Sequence, residues 1–206
     1  MKENNFYLSS EEYSLITDPG IFYTKHQVIS KVYSLFGTLS SAYSLQTGSL
    51  PGEVVAISPK IYKGENYRQL PYVMLDHPRF FSSAEAFAVR SLFWWGKHFS
   101  IHLLLGGKYK TAYQGKILEA IRSAPFRDWH IALTDDPWQH HFEEDNYVPA
   151  YKFSDENRSG EYLKLGKLLP LDNWAESEKF FKNAFGQILS VTGPVAPSHP
   201  GQPEVR

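Results

Sequence analysis

Apolar positions recur at helical spacing in three stretches of the chain and alternate with polar ones through most of the rest. From about Thr24 to Thr47, Val28, Val32, Leu35, Phe36, Leu39, Ala42 and Tyr43 keep a period of three to four, and Gly48 supplies a stop. Tyr113, Ile117 and Ile121 make a second stripe over about 113–123, closed by Pro125. Trp174, Phe181, Phe185, Ile188 and Leu189 make a third over about 173–191. A short helix is expected over 9–17, with Ser9 or Ser10 as its cap and Glu11 and Glu12 in its first turn, broken by Asp18-Pro19-Gly20.

The alternating stretches predict strands over Val54–Ile61, Leu70–Leu75, Trp129–Leu133, Tyr147–Phe153 and Tyr162–Leu168, with a turn at Lys63-Gly64-Glu65-Asn66. Phe87–Trp95 and His98–Leu105 read as a hairpin. Gly96-Lys97 fits a two-residue loop with glycine first. Ser82-Ser83 would also cap a helix over 82–95, but the run Phe93-Trp94-Trp95 favours strand. The expected fold class is α+β. It has a mostly antiparallel sheet of about five to seven strands and helices packed mainly on one face. Residues 1–193 form one domain, and the Pro-rich tail 194–206 is expected to be disordered.

A two-residue loop fixes the hairpin register: Trp95 faces His98, Phe93 faces Ser100 and Ser91 faces His102. One face then carries Leu92, Trp94, Phe99, Ile101, Leu103 and Leu105, with Arg90 as its only charge, and is expected against the helices. The other carries Phe93, Trp95, His98, Ser91, Ser100 and His102. That face is either a ligand surface or a second packed layer beneath residues 138–146.

Composition narrows the function classes. There are no cysteines, so disulfides and thiolate metal sites are excluded. Basic and acidic residues number 21 and 22, a balance that disfavours nucleic acid as partner. No apolar run approaches the roughly 20 residues of a membrane span. Met1-Lys2-Glu3-Asn4-Asn5 lacks a signal-peptide core, so a cytoplasmic protein is expected. No phosphate loop, dinucleotide fingerprint or nucleophile elbow occurs, and no cofactor is assigned.

Three clusters carry candidate chemistry. His98 and His102 would grip one metal ion on a helix, but on a strand four residues span about 13 Å, and the pair is not read as a metal site. Trp138-Gln139-His140-His141-Phe142-Glu143-Glu144-Asp145 is the densest polar stretch, with ligand types that suit zinc, iron or manganese. Adjacent histidines in extended chain point to opposite sides, so only one of His140 and His141 faces a given site. Arg68 and Arg79, near Asp76 and His77, are of the type that clamps a carboxylate or phosphate, or that is buried for structure.

Glu65-Asn66-Tyr67-Arg68, Leu70–Asp76, Phe93-Trp94-Trp95-Gly96 and Pro137–Tyr147 together resemble a family of uncharacterised bacterial proteins over most of residues 24–190. Leu70-Pro71 and Trp95-Gly96 also give a fainter resemblance to the YktB-like proteins. The second resemblance implies an α+β fold, and neither implies a reaction. The expected function is therefore binding of a small molecule or partner chain by Arg68, His77, Arg79, Phe93, Trp95, His98, His102, Trp138, His140, His141 and Glu143. The alternative is a metal-assisted or His/carboxylate acid–base enzyme.

Overall fold

Ser9 opens the first helix as the spacing predicts. Its hydroxyl accepts the Glu12 N–H while the Glu12 carboxylate accepts the Ser9 N–H, a reciprocal capping box. The structure, a computed structural model, describes residues 6–154 and 160–193. The tail beyond Gly193 and most of the polar stretch 154–160 lie outside the described residues. Along the chain come α1 (Ser10–Thr17), α2 (Gly20–Ser44), a one-turn α3 (Gly52–Val55), β1 (Lys60–Tyr67), β2 (Leu70–Phe81), β3 (Ala86–Trp94), β4 (His98–Gly106), α4 (Lys108–Ala120), β5 (His130–Ala132), β6 (Tyr147–Pro149), β7 (Tyr162–Pro170) and α5 (Ser177–Thr192). The fold is α+β, with one seven-stranded sheet in the order β1-β2-β3-β4-β7-β5-β6 and every pairing antiparallel. No helix among the described residues is long and apolar enough to cross a membrane.

Helices α2, α4 and α5 cover one face. Ile29, Val32, Phe36, Leu39 and Tyr43 of α2, with Phe181, Phe185 and Ile188 of α5, pack on Val73, Leu75, Phe87, Val89, Phe99, Ile101 and Leu103 of the sheet. Helix α1 buries nothing, and Tyr13, Leu15 and Ile16 on it remain exposed with Phe6, Tyr7 and Leu8 before it.

Several predicted boundaries differ, among them the start of α4 at Lys108, the end of β6 at Pro149 and the start of α5 at Ser177; three others have a local reason. Val54 and Val55 belong to α3, because Pro51 starts a helical turn in which its carbonyl accepts the Val54 N–H. The first hairpin turns at Arg68-Gln69, at φ of 50° and 67°, and not at Lys63–Asn66. Gly64 sits within β1 because Tyr72 lies across it: a Cβ there would meet the Tyr72 ring at 2.4 Å. The glycine marks a close approach in a strand. Strand β2 continues through Asp76-His77-Pro78 to Phe81, with a bulge between Asp76 and Arg79 that accommodates the proline.

A further difference changes the face assignment. Residues 86–94 are strand, but the β3–β4 loop has three residues, so Trp94 faces His98, Leu92 faces Ser100 and Arg90 faces His102. The Lys97 N–H donates to the Trp94 carbonyl, making Trp95 and Gly96 the central pair, with the positive φ of 68° on Gly96. Glycine therefore serves as the second central residue of the turn and not the first. One step of register exchanges the faces of one strand relative to the other. Phe93 and Trp95 consequently pack on the helix side with Phe99 and Trp174, while Trp94 lies on the opposite face with Met74 and Leu92. Ile101 is buried on the helix side as expected.

Candidate functional site

The face away from the helices is covered by residues 133–146, which run without helix or strand from β5 to β6. Beneath this cover Asp76 of β2 meets Arg90 of β3. The guanidinium donates from Nε to Oδ1 at 2.7 Å and from Nη2 to Oδ2 at 2.8 Å, a bidentate pair in which both side chains are buried. Tyr62 donates its hydroxyl to the same carboxylate at 3.3 Å. The remaining Arg90 nitrogen, Nη1, lies 3.0 Å from Nε2 of His140. On the other side of that ring Nδ1 is 3.1 Å from Nζ of Lys164, a β7 residue whose amine donates to the carbonyls of Pro137, at 2.8 Å, and Gln139. Trp138 lies over Arg90, 5.1 Å from the guanidinium carbon to the ring centroid. Arg90, His102, His140 and Lys164, with apolar Ala88, Leu104 and Pro137, border a cavity of about 10 Å³, at most the room for one water.

His102 is fully enclosed. Its Nε2 is 3.0 Å from the Ser100 hydroxyl and its Nδ1 is 3.1 Å from the Tyr147 hydroxyl. Phe142 stacks on both the His102 and Tyr147 rings and meets His98 and His130 edge-on. Burial drives His98 down to about 4, and drives His102 and His140 well below the usual imidazole range, with the Lys164 charge the next cause for both. All three are uncharged at neutral pH.

Room for the Phe142 ring depends on Gly166, which pairs with His102 on one side and His130 on the other. A Cβ at this position would stand 2.8 Å from Phe142 and 2.9 Å from Nδ1 of His102. Gly166→Ala should therefore destabilise the domain by about 1–3 kcal/mol through overpacking. Gly115, exposed on α4 with nothing near its would-be Cβ, provides the contrast: Gly115→Ala should stabilise by about 0.5–1 kcal/mol. Urea denaturation of the two variants checks this, and equal effects would contradict it.

His141 points the other way, toward the rim. The Tyr67 hydroxyl accepts the His140 N–H at 2.6 Å and sits 2.9 Å from Nδ1 of His141, fixing that ring. Nε2 of His141 faces Asp145 at 3.8 Å. One atom each from His141, Glu143 and Asp145 lie within 4.8 Å of one another. Glu143 is also paired with Arg68 at 2.7 Å. Arg68 reaches it from the tight turn of the first hairpin, where two consecutive non-glycine residues hold positive φ. Such strain costs of order 1–3 kcal/mol per residue. The Gln69 N–H bonded to the Asn66 side chain offsets part of it.

Of the residues expected to bind a ligand, Arg68, His98, His102, Trp138, His140, His141 and Glu143 come together on this face. The other four do not. His77 belongs to the helix side, with Nε2 2.9 Å from the Ser44 hydroxyl of α2. Arg79 donates to the Ser58 carbonyl, and Phe93 and Trp95 are core for the register reason given above. Sequence reasoning left out Lys164, Tyr67 and Tyr147, and treated Arg90 as a stray charge on a core face. Lys164 had a visible signal, a cation flanked by Leu163 and Leu165 in the run Tyr162–Leu168. The alternation His141, Glu143, Asp145 was the corresponding signal at the rim. No family model matches the chain, and no curated protein or solved structure shows significant similarity to it.

Proposed function

We propose that the chain binds a divalent transition-metal ion at the rim of this face, through His141, Glu143 and Asp145, and uses it for metal-assisted acid–base chemistry. The observation that carries this reading is the convergence of one imidazole and two carboxylates within 4.8 Å. Imidazole with carboxylates suits zinc, manganese or iron, and three protein ligands leave a coordination position for water or substrate. Burial, with the Arg68 charge next, lowers His141 below its ordinary value and so favours the neutral form that ligates metals. Tyr67 supports the opposite ring nitrogen, as an outer-shell partner of a ligating histidine does.

Arg68 competes with a cation for Glu143, which gives the test a distinctive sign. Titration calorimetry with Zn²⁺ and Mn²⁺ should show one site per chain. His141→Ala should abolish it, Tyr67→Phe should weaken it by about tenfold, and Arg68→Ala should tighten it. If wild type and His141→Ala take up the same amount of metal, or if Arg68→Ala weakens binding, the cluster is an ordinary surface ion-pair group.

A further inference from the structure

The apolar stripe of α2 runs past the core it packs on. Its buried positions are Ile29, Val32, Phe36, Leu39 and Tyr43. Phe22, two turns before Ile29, continues the same stripe but is exposed, as are Ile21 and Tyr23 beside it. The first two turns of α2 and the whole of α1 therefore stand largely clear of the core as an arm. An isolated helix as short as α1 is marginal in water. The Ser9 capping box and the Asp18 carboxylate, which accepts the Gly20 N–H at 2.8 Å, order the arm locally, yet α1 buries no residue.

The arm holds most of the exposed apolar surface. Among the described residues, nine of the thirteen exposed large apolar side chains lie between Phe6 and Tyr23, each 49–89 % exposed. Taking about 200 Å² for a fully exposed side chain, they present on the order of 1,000 Å². The largest apolar patch of a monomer is ordinarily about 300–600 Å², whereas a stable dimer buries about 800 Å² on each partner. Residues 1–5, 155–159 and 194–206 offer little to cover it: apart from prolines, their apolar side chains are Met1, Val195, Ala196 and Val205. Charge narrows the occupant further. From Phe6 to Thr24 the chain carries Glu11, Glu12 and Asp18 and no lysine or arginine, which opposes an anionic bilayer or nucleic acid. Helix α2 is the reverse, with Lys25 and Lys31 and no acid. An α1 on one copy and an α2 on another are thus both apolar and opposite in charge, and a two-fold contact satisfies that match twice.

We infer that the protein is a homodimer in which the arms, residues 6–23, pack together about a two-fold axis, α1 of each copy against α2 of the other. The inference does not rest on the rim cation. Sedimentation equilibrium of the full chain tests it, at concentrations up to about 100 µM, where even a modest interface associates. The wild type should approach twice 23.6 kDa, and its urea midpoint should rise with protein concentration. Ile16→Asp and Phe22→Asp put a charge into the contact and remove no buried side chain of the single chain. Each should raise the dimer dissociation constant at least about thirtyfold and leave a urea midpoint that no longer depends on concentration. Leu45→Asp, equally exposed but at the far end of α2, should leave the dimer intact. A wild-type monomer at the highest concentration overturns the inference, whether it stays free or sediments with phosphatidylcholine vesicles, which would assign the arm to a lipid surface. So does a dimer that Ile16→Asp and Phe22→Asp leave intact, or that Leu45→Asp weakens as much.

Discussion

Lowering the pH from about 7 to about 5 should remove about 6 kcal/mol of stability, enough to bring the domain close to unfolding. His98, His102 and His140 are each held neutral by burial, with folded pKa values below the imidazole norm. In the unfolded chain the same residues titrate near 6.5. For a base with a depressed folded pKa, the unfolded state binds more protons between the two values, so stability rises with pH through that window and falls on acidification. At about pH 5 each histidine costs about 2 kcal/mol, being about 1.5 units at 1.36 kcal/mol per unit. Below about pH 4 the slope should ease as His98 begins to protonate in the folded state. Urea denaturation at a series of pH values measures this. A midpoint that stays constant between pH 7 and 5 would show that none of the three rings is held neutral by burial.

The same buried histidines show which parts of the site could be read from the sequence. His98 and His102 belong to one face of a strand because they are four residues apart on alternating backbone, and the structure places them so. The opposed directions of His140 and His141 likewise follow from extended geometry: one ring meets Arg90 and Lys164, the other meets Tyr67 and Asp145. Long helices with strong stripes, α2 and α5, were equally legible. What escaped depends on single-residue details of the backbone. Whether glycine is first or second in the Trp95-Gly96 turn decides the faces of Phe93 and Trp94, and composition is the same either way. Lys164 looks solvent-facing in sequence because the second face of a one-layer sheet usually meets water. Its burial depends on a cover that lies 18 or more residues earlier in the chain and has no period of its own.

The Asp76–Arg90 pair should show strong coupling in a double-mutant cycle, because each partner alone is an isolated buried charge. Asp76→Leu leaves the guanidinium enclosed by Trp138 and His140 with no anion, and Arg90→Met leaves the carboxylate with only the Tyr62 hydroxyl. Each single change should cost about 3–5 kcal/mol, the usual penalty for breaking a buried pair from one side. The double variant removes both charges together and puts apolar volume beside Met74, Leu92 and the Trp138 ring. What remains is the loss of a donor to Nε2 of His140, worth about 1–3 kcal/mol, while Tyr62 keeps its contact with the Met74 sulfur. The double variant should therefore be more stable than either single one. Arg68–Glu143 has the same closest approach of 2.7 Å but is exposed, so a parallel cycle there should show little coupling. Urea denaturation of the two cycles makes the comparison. Additive losses at Asp76 and Arg90 would mean that water reaches the pair and that the cover over this face is open in solution.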